Sequence, residues 1–79
     1  MEETIRLVLA EHGRLATDPS SLDEHADLFD AGMTSHASVN VMLALEEVFD
    51  FEFPETMLKK STFESIAAIR ASVLEVTGG

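Results

Sequence analysis

Apolar residues recur every three or four positions in three stretches of the chain, which is the spacing of one face of an α-helix. The first stretch is closed by a glycine that can cap a helix, and it comprises Ile5, Val8, Leu9, His12 and Gly13. From Arg14 to Thr34 this periodicity is lost, and the Asp-Pro-Ser-Ser sequence at positions 18–21 is typical of a turn. The pattern therefore predicts a first helix followed by a long loop. We expect three apolar side chains to hold that loop on the core, namely Leu22, Leu28 and Phe29.

The longest helical pattern follows Ser35, and no residue between Ser35 and Asp50 breaks a helix. Its apolar positions are Val41, Met42, Leu45, Val48 and Phe49. Pro54 forces a new start, and the residues after it fit at most one short helix. Ser61 and Glu64 have the spacing of a capping box, which predicts that the last helix opens at Ser61. The apolar face of that last helix would consist of Phe63, Ile66, Ile69 and Val73.

These elements follow one another as helix, long loop, long helix, short helix and helix. No stretch alternates apolar and polar residues with a period of two, so we expect no sheet. The short connections late in the chain favour antiparallel neighbours. The sequence predicts an all-α fold over residues 1–79 as a single domain: a small four-helix bundle with a short third helix and a long first loop.

The chain is acidic and contains no cysteine. Its 15 acidic and 5 basic side chains give a formal charge of −10. Such a surface repels nucleic acids and anionic membranes, and attracts proteins that carry basic patches. The longest apolar run, Val41 to Leu45, is too short to cross a bilayer, and the first residues do not have the pattern of a signal peptide. We therefore expect a cytoplasmic monomer whose partners are proteins, with no nucleic-acid or membrane partner.

Ser35 is the candidate for chemistry, because it lies at the predicted start of the long helix. Gly32 allows the chain to turn sharply, and either Thr34 or Ser35 can then open the helix. Backbone N–H groups at a helix start lack intrahelical partners, so an anion attached to Ser35 would be stabilised there. Serine and threonine are also the ordinary capping residues. From the residues alone, a plain helix cap is the simpler interpretation.

The histidines do not indicate a catalytic or metal site. His36 adjoins Ser35, but neighbouring residues of a helix do not face one another, so His36 cannot easily act as its base. Ala37 stands where the nucleophile elbow of a hydrolase requires a glycine. The acidic residues around His25 do not alternate as the ligands of an EF-hand do. We predict no enzymatic activity and no dedicated metal site.

The motifs around Ser35 form an ordered set. Residues 27–35 are Asp-Leu-Phe-Asp-Ala-Gly-Met-Thr-Ser, and residues 42–49 are Met-Leu-Ala-Leu-Glu-Glu-Val-Phe. Phe-Pro-Glu follows at 53–55 and Ser-Thr-Phe at 61–63. This order resembles the acyl carrier protein family, which has an acidic and apolar loop, a glycine, an Asp-Ser-Leu triplet, a helix ending in Leu-Glu-Glu-x-Phe, an Ile-Pro-Asp turn and a Thr-Val before its last helix. The resemblance covers roughly residues 4–74, and the spacing of the whole set makes it specific.

The resemblance implies the four-helix bundle with the short third helix that the periodicity predicts. It also implies that a phosphopantetheinyl transferase attaches 4′-phosphopantetheine, taken from coenzyme A, to Ser35. The thiol of this arm would hold acyl or aminoacyl groups as thioesters, so the chain would need no cysteine and no catalytic residue of its own. A flexible tether of this kind raises the effective concentration of the cargo at each partner enzyme.

The triplet departs from the family pattern. Thr34 stands in place of Asp and His36 in place of Leu, while Ala37 and Asn40 occupy positions where many members carry acids. In the family these positions contact the transferase and the partner enzymes. The departures imply a specialised carrier with a dedicated partner that docks on the long helix. The candidate partner-binding residues are Thr34, His36, Asn40, Leu43, Glu46 and Glu47.

Three hypotheses follow. The first is a free-standing carrier of acyl or aminoacyl groups on an arm at Ser35, served by a loading ligase and downstream transferases. The second is an aminoacyl carrier loaded by a dedicated ATP-dependent amino acid ligase. The third, of another class, is an acidic protein-interaction domain with an unmodified serine.

Overall fold

The computed structural model describes residues 1–78 and contains three α-helices. Helix α1 spans Glu2–Val8 and continues as a π-helical turn over Leu9–Gly13. Helix α2 spans Ser35–Phe49, and helix α3 spans Ile66–Thr77. No strand occurs within residues 1–78, and no helix of this part of the chain is both long and apolar enough to cross a membrane. The predicted all-α fold is confirmed, and only the last residue of the predicted domain, Gly79, lies outside the description.

One hydrophobic core joins the predicted apolar faces of the three helices. Its most completely buried side chains are Ile5, Leu9, Leu28, Val41, Leu45, Ile66, Ile69 and Val73. Burying one such side chain contributes about 1.5–3 kcal/mol, so this cluster is the main source of stability in a chain without disulfides. Three predicted positions of α2 are less buried than Val41 and Leu45. Met42 and Phe49 are only half-buried, and Val48 is 53% exposed.

The predicted short third helix is instead a pair of 3₁₀ turns. These cover Glu55–Met57 and Lys60–Phe63, and the backbone between them is not helical. Phe63 is buried, and its ring packs edge-on against Phe53 with 5.2 Å between ring centres. Because both rings are buried in the core, the nine residues that join them must follow a path set by packing rather than a regular helix.

The predicted capping box at Ser61 and Glu64 is wrong by four residues. Helix α3 begins at Ile66, and its cap is Ser65, whose hydroxyl accepts a hydrogen bond of 3.0 Å from the Ala68 N–H. Ser61 lies inside the second 3₁₀ turn. The helix cannot begin earlier because Phe63 occupies its buried position within that turn.

The long loop before α2 is held to the body of the protein by backbone hydrogen bonds. The Leu28 N–H donates to the Glu64 carbonyl at 2.7 Å, and the Ala67 N–H donates to the Glu24 carbonyl at 2.9 Å. Leu28 itself is fully buried, as the sequence predicts. Both bonds join the loop to the start of α3, so the two segments form one rigid end of the molecule.

Two arginines hold the loop from the other side. The Arg6 guanidinium donates to the carbonyls of Pro19 and Leu22, each at 2.6 Å, and also pairs with Glu2. Arg70 of α3 pairs with Glu24 of the loop at 2.7 Å and with Glu2 of α1. These contacts fix the loop, which in turn fixes where α2 begins.

Candidate functional site

The turn before α2 depends on Gly32, whose backbone φ of +116° disfavours other residues. A side-chain carbon at this position would also lie 3.2 Å from the backbone nitrogen of Ala16, which is tighter than an ordinary contact. The next residue, Met33, is buried, and its N–H donates to the Leu28 carbonyl at 3.0 Å. The loop is therefore anchored immediately before Thr34, which sets the start of the helix.

Thr34 is the cap of α2, and Ser35 is its first helical residue. The Thr34 hydroxyl accepts a hydrogen bond of 3.0 Å from the Ala37 N–H, and the Thr34 carbonyl accepts from the Ser38 N–H at 2.9 Å. Ser35 is exposed. The capping position that the sequence leaves between two hydroxyls is filled by Thr34, so the Ser35 hydroxyl is available at the surface for another role.

The environment of Ser35 favours a negative charge. The first N–H groups of a helix have no intrahelical acceptor, and the helix dipole is positive at this end. The first turn of α2 contains no acidic residue, even though the chain as a whole has a charge of −10. A phosphodiester attached to Ser35 thus fits the electrostatics of its immediate surroundings.

A groove of about 290 Å³ runs alongside Ser35. It is lined by Phe29, Ser35, Ser38, Val39, Met42, Leu58, Lys59, Lys60 and Phe63. Most of this lining is apolar, while the two adjacent lysines supply positive charge. An arm that is polar at its phosphate and less polar beyond it can lie in such a groove.

The groove residues other than Ser35 were not predicted as site residues from the sequence. Their shared surface arises because residues of the 3₁₀ turn at Lys60–Phe63 and of the first turns of α2 line the same groove. The available sequence signal was Lys59-Lys60, the only pair of adjacent basic residues in the chain. The Lys60 ammonium lies 5.0 Å from the centre of the Phe29 ring, within the range of a cation–π interaction.

Four of the six predicted partner-binding residues share one face of α2. His36, Asn40, Leu43 and Glu47 are spaced as neighbours along a helix, and Leu43 is 53% exposed. We call these four residues the docking face. The structure gives the other two predicted residues internal contacts.

Those two residues stabilise the ends of α2. Thr34 is its cap, as described above. Glu46 extends past the far end, where its Oε2 accepts a hydrogen bond of 2.8 Å from the Phe53 N–H. Asp50 closes the helix in the left-handed region, with φ of +53°. The Glu46 carboxylate is thus already bound within the protein, whereas Glu47 is exposed to a partner.

Together these features define a class: a small helical domain that presents an exposed hydroxyl and an adjoining groove, as a carrier of an attached group does. The family model described as the phosphopantetheine attachment site matches residues 5–70 of the chain. The chain belongs to this family of phosphopantetheine-bearing carrier domains, and its prosthetic group is phosphopantetheine.

The chain is similar over most of its length to named carrier proteins and to carrier proteins of known structure. The chain is 44% identical to the aminoacyl carrier protein of Agrobacterium fabrum over 79 residues, which are all of this chain and 95% of that one. A carrier protein from Agrobacterium tumefaciens, crystallised with an engineered Bradyrhizobium japonicum glycine:[carrier protein] ligase and AMP, is 46% identical. It superposes with a TM-score of 0.90 over 92% of this chain and 97% of that chain. A glycylated carrier protein in complex with the Bradyrhizobium japonicum ligase is 30% identical, with a TM-score of 0.77 over 90% of this chain and 95% of that chain.

Proposed function

We propose that this protein carries an amino acid on a phosphopantetheine arm attached to Ser35, and that an ATP-dependent amino acid ligase loads it. The observation that carries the proposal is the division of roles at the start of α2. Thr34 provides the cap, which leaves the exposed Ser35 hydroxyl to take the arm. The aminoacyl cargo is supported by relatives named aminoacyl carrier protein and by those crystallised with a glycine ligase.

The chain contributes attachment and positioning, and it performs no catalysis. A phosphopantetheinyl transferase joins the Ser35 oxygen to the phosphate of the arm; the pyrophosphate bond of coenzyme A breaks, adenosine 3′,5′-bisphosphate leaves, and the transferase takes up the hydroxyl proton. The bound arm supplies the thiol that holds the amino acid as a thioester. Thr34 and the anchored loop hold Ser35 at the start of the helix, so partner enzymes meet the base of the arm at one position. Because coenzyme A supplies the arm, we place the protein in the cytoplasm.

The loading ligase and the downstream transferases would bind the docking face. This face lies on the same helix as Ser35, so an enzyme seated on it has the base of the arm beside it. His36 and Asn40 stand next to the attachment point, Leu43 provides an exposed apolar contact and Glu47 a negative charge. Thr34 and Glu46 would support this surface from its two ends rather than touch the partner strongly.

Intact-mass spectrometry tests the attachment point. After co-expression with a broad-specificity phosphopantetheinyl transferase, we expect one added phosphopantetheine in the wild type and none in Ser35→Ala. Ser38→Ala is the matched control, because Ser38 lies one turn further along the same groove and should still permit modification. Modification of Ser35→Ala, or an unchanged mass of the wild type, would contradict the proposal.

The modified protein then tests the cargo. Incubated with a glycine:[carrier protein] ligase, ATP and an equimolar mixture of amino acids, it should gain the mass of one small aminoacyl group, with glycine as the first candidate. The gain should reverse in neutral hydroxylamine, which cleaves thioesters. If the protein is loaded by a fatty-acyl ligase and is not aminoacylated, the cargo is a fatty acid rather than an amino acid. The attachment point at Ser35 would be unaffected by that result.

A further inference from the structure

We propose that Lys60 binds the phosphodiester at the base of the arm and thereby directs the arm into the groove rather than over the docking face. This inference rests on the proposed attachment to Ser35. It assigns a role to a side chain that the carrier motif does not include, and it gives the groove one occupant, the protein's own prosthetic group.

The first step is the distribution of positive charge. The chain has only five basic side chains, Arg6, Arg14, Lys59, Lys60 and Arg70, against 15 acidic ones. Arg6 and Arg70 are engaged in ion pairs that hold α1, the long loop and α3 together. Within residues 1–78, the ion pairs involve neither lysine. Two of the three remaining cations therefore face the groove that also contains Ser35.

The second step separates the two lysines. The Lys60 ammonium is held over the ring of Phe29, another groove residue, at 5.0 Å. The Phe29 side chain is partly buried against the hydrophobic core, and its backbone N–H donates to the Asp27 carboxylate at 2.9 Å. Lys59 also borders a second, more polar hollow that contains Ser72 and Glu75. Lys60 is thus the lysine whose ammonium is held against another residue of the groove, whereas Lys59 is shared with the second hollow.

The third step is the chemistry of the anion. A phosphodiester keeps its negative charge at all physiological pH values, and an ammonium group forms a charge-assisted hydrogen bond with it. The free N–H groups at the start of α2 approach the phosphate from one side. Lys60 lines the same groove as Ser35, and its ammonium is held over Phe29, so the N–H groups and Lys60 together would fix the direction in which the arm leaves Ser35.

The direction has a consequence for partner binding. The groove wall formed by Val39, Met42 and Leu58 is apolar and can accommodate the pantetheine portion. The docking face lies around the helix from it and would remain uncovered while the arm is in the groove. A partner enzyme would then bind first and withdraw the arm afterwards by competing for its phosphate.

Phosphorus NMR of the modified protein tests the inference, with Lys60→Met, Lys59→Met and Lys60→Arg compared. The two methionine variants each remove one positive charge, from −10 to −11, so they match in overall electrostatics. Intact mass first confirms that each sample carries the arm. In the wild type and Lys60→Arg, we expect a phosphodiester resonance displaced from that of an arm on unfolded protein, with the displacement decreasing as salt is added. Lys60→Met should lose most of this displacement and Lys59→Met should keep it.

Aromatic proton spectra provide a second readout. Attachment of the arm should shift the Phe29 ring resonances in the wild type, and this shift should be lost in Lys60→Met. Equal phosphorus spectra for Lys60→Met and the wild type, or equal losses in the two methionine variants, would overturn the role of Lys60. A wild type that never gains the arm would instead refute the attachment to Ser35, so the two failures are distinguishable.

Discussion

Two adjacent hydroxyls at the start of α2 have separate structural positions. Thr34 lies outside the helix with an extended backbone, and its oxygen accepts the Ala37 N–H. Ser35 is already helical, and its side chain is exposed. A hydroxyl that accepts a capping N–H uses one of its two lone pairs within the protein. The threonine that departs from the family triplet therefore keeps the helix start intact while Ser35 stays accessible.

This division predicts opposite stability effects for two small substitutions. Thr34→Ala removes the capping acceptor and should lower the free energy of unfolding by about 1 kcal/mol. Ser35→Ala removes no capping bond, and it should change that free energy by less than about 0.5 kcal/mol, as is usual for exposed sites. Urea denaturation followed by circular dichroism of the unmodified protein measures both. Equal losses in the two variants would show that Ser35 shares the capping role.

The sequence predicted the turn at Gly32 and the helix that follows, but it could not assign the cap. Thr and Ser have similar capping preferences, so propensity does not separate them. The assignment depends on the anchoring of Met33 and on the close approach of Gly32 to Ala16, which are tertiary contacts. The motif thus identifies Ser35 as the candidate attachment point. The structure adds that its side chain is exposed and that Thr34 provides the cap.

At the scale of elements, α2 is both a core helix and a display surface. Its inner positions, Val41 and Leu45, are fully buried, while Leu43 and Val48 on other sides are each 53% exposed. A helix that is apolar around this much of its circumference commonly serves an interface as well as a core. The two glutamates near its far end differ in the same way, since Glu46 is bound to the backbone and Glu47 faces outward.

Charge reversal at these glutamates should therefore separate folding from docking. Glu47→Lys should weaken binding to the loading ligase several-fold without changing the unfolding free energy, and added salt should weaken wild-type binding as well. Glu46→Lys is the comparison, because it breaks the bond to the Phe53 N–H and should destabilise the protein by roughly 1 kcal/mol. Calorimetric titration with the ligase and urea denaturation give the two quantities. Binding that does not change with salt would instead indicate that His36 and Leu43, rather than Glu47, provide most of the binding free energy.

The elements after α2 show where local pattern is insufficient. The Ser61 to Glu64 spacing matches a capping box, yet the helix opens at Ser65. The burial of Phe63 against Phe53 decides this, because it holds residues 60–63 in a 3₁₀ turn. That same turn brings Lys60 to the groove beside Ser35. The same aromatic contact between Phe53 and Phe63 thus explains both the error in the predicted helix boundary and the missed groove residues. Helical periodicity does not reveal such a contact.

At the scale of the whole molecule, two arginines connect the long loop to α1 and α3 in a strongly acidic protein. Arg6 binds the loop through two carbonyls, and Arg70 links the loop to α1 and α3 through Glu24 and Glu2. Other acidic side chains remain free to repel one another, and this self-repulsion opposes folding. Composition alone predicts the repulsion, but only the structure identifies the carboxylates that stabilise the fold.

The last prediction concerns acid, through the ion pair of Glu24 with Arg70. The hydrogen bond from Arg70, reinforced by its charge, lowers the pKa of Glu24 below the ordinary glutamate value. A carboxylate whose folded pKa is depressed contributes stability that is complete above its unfolded pKa and is lost as the pH falls through the folded pKa. The difference in unfolding free energy between the wild type and Glu24→Gln should therefore be largest at neutral pH and shrink in acid.

Glu55→Gln is the matched control, because it removes the same charge from an exposed residue outside the ion pairs described for residues 1–78. Urea midpoints of the three proteins, measured from neutral pH into acid, give the result. If the midpoints of the two variants change with pH in parallel, the contact between the loop and α3 does not depend on the Glu24 charge.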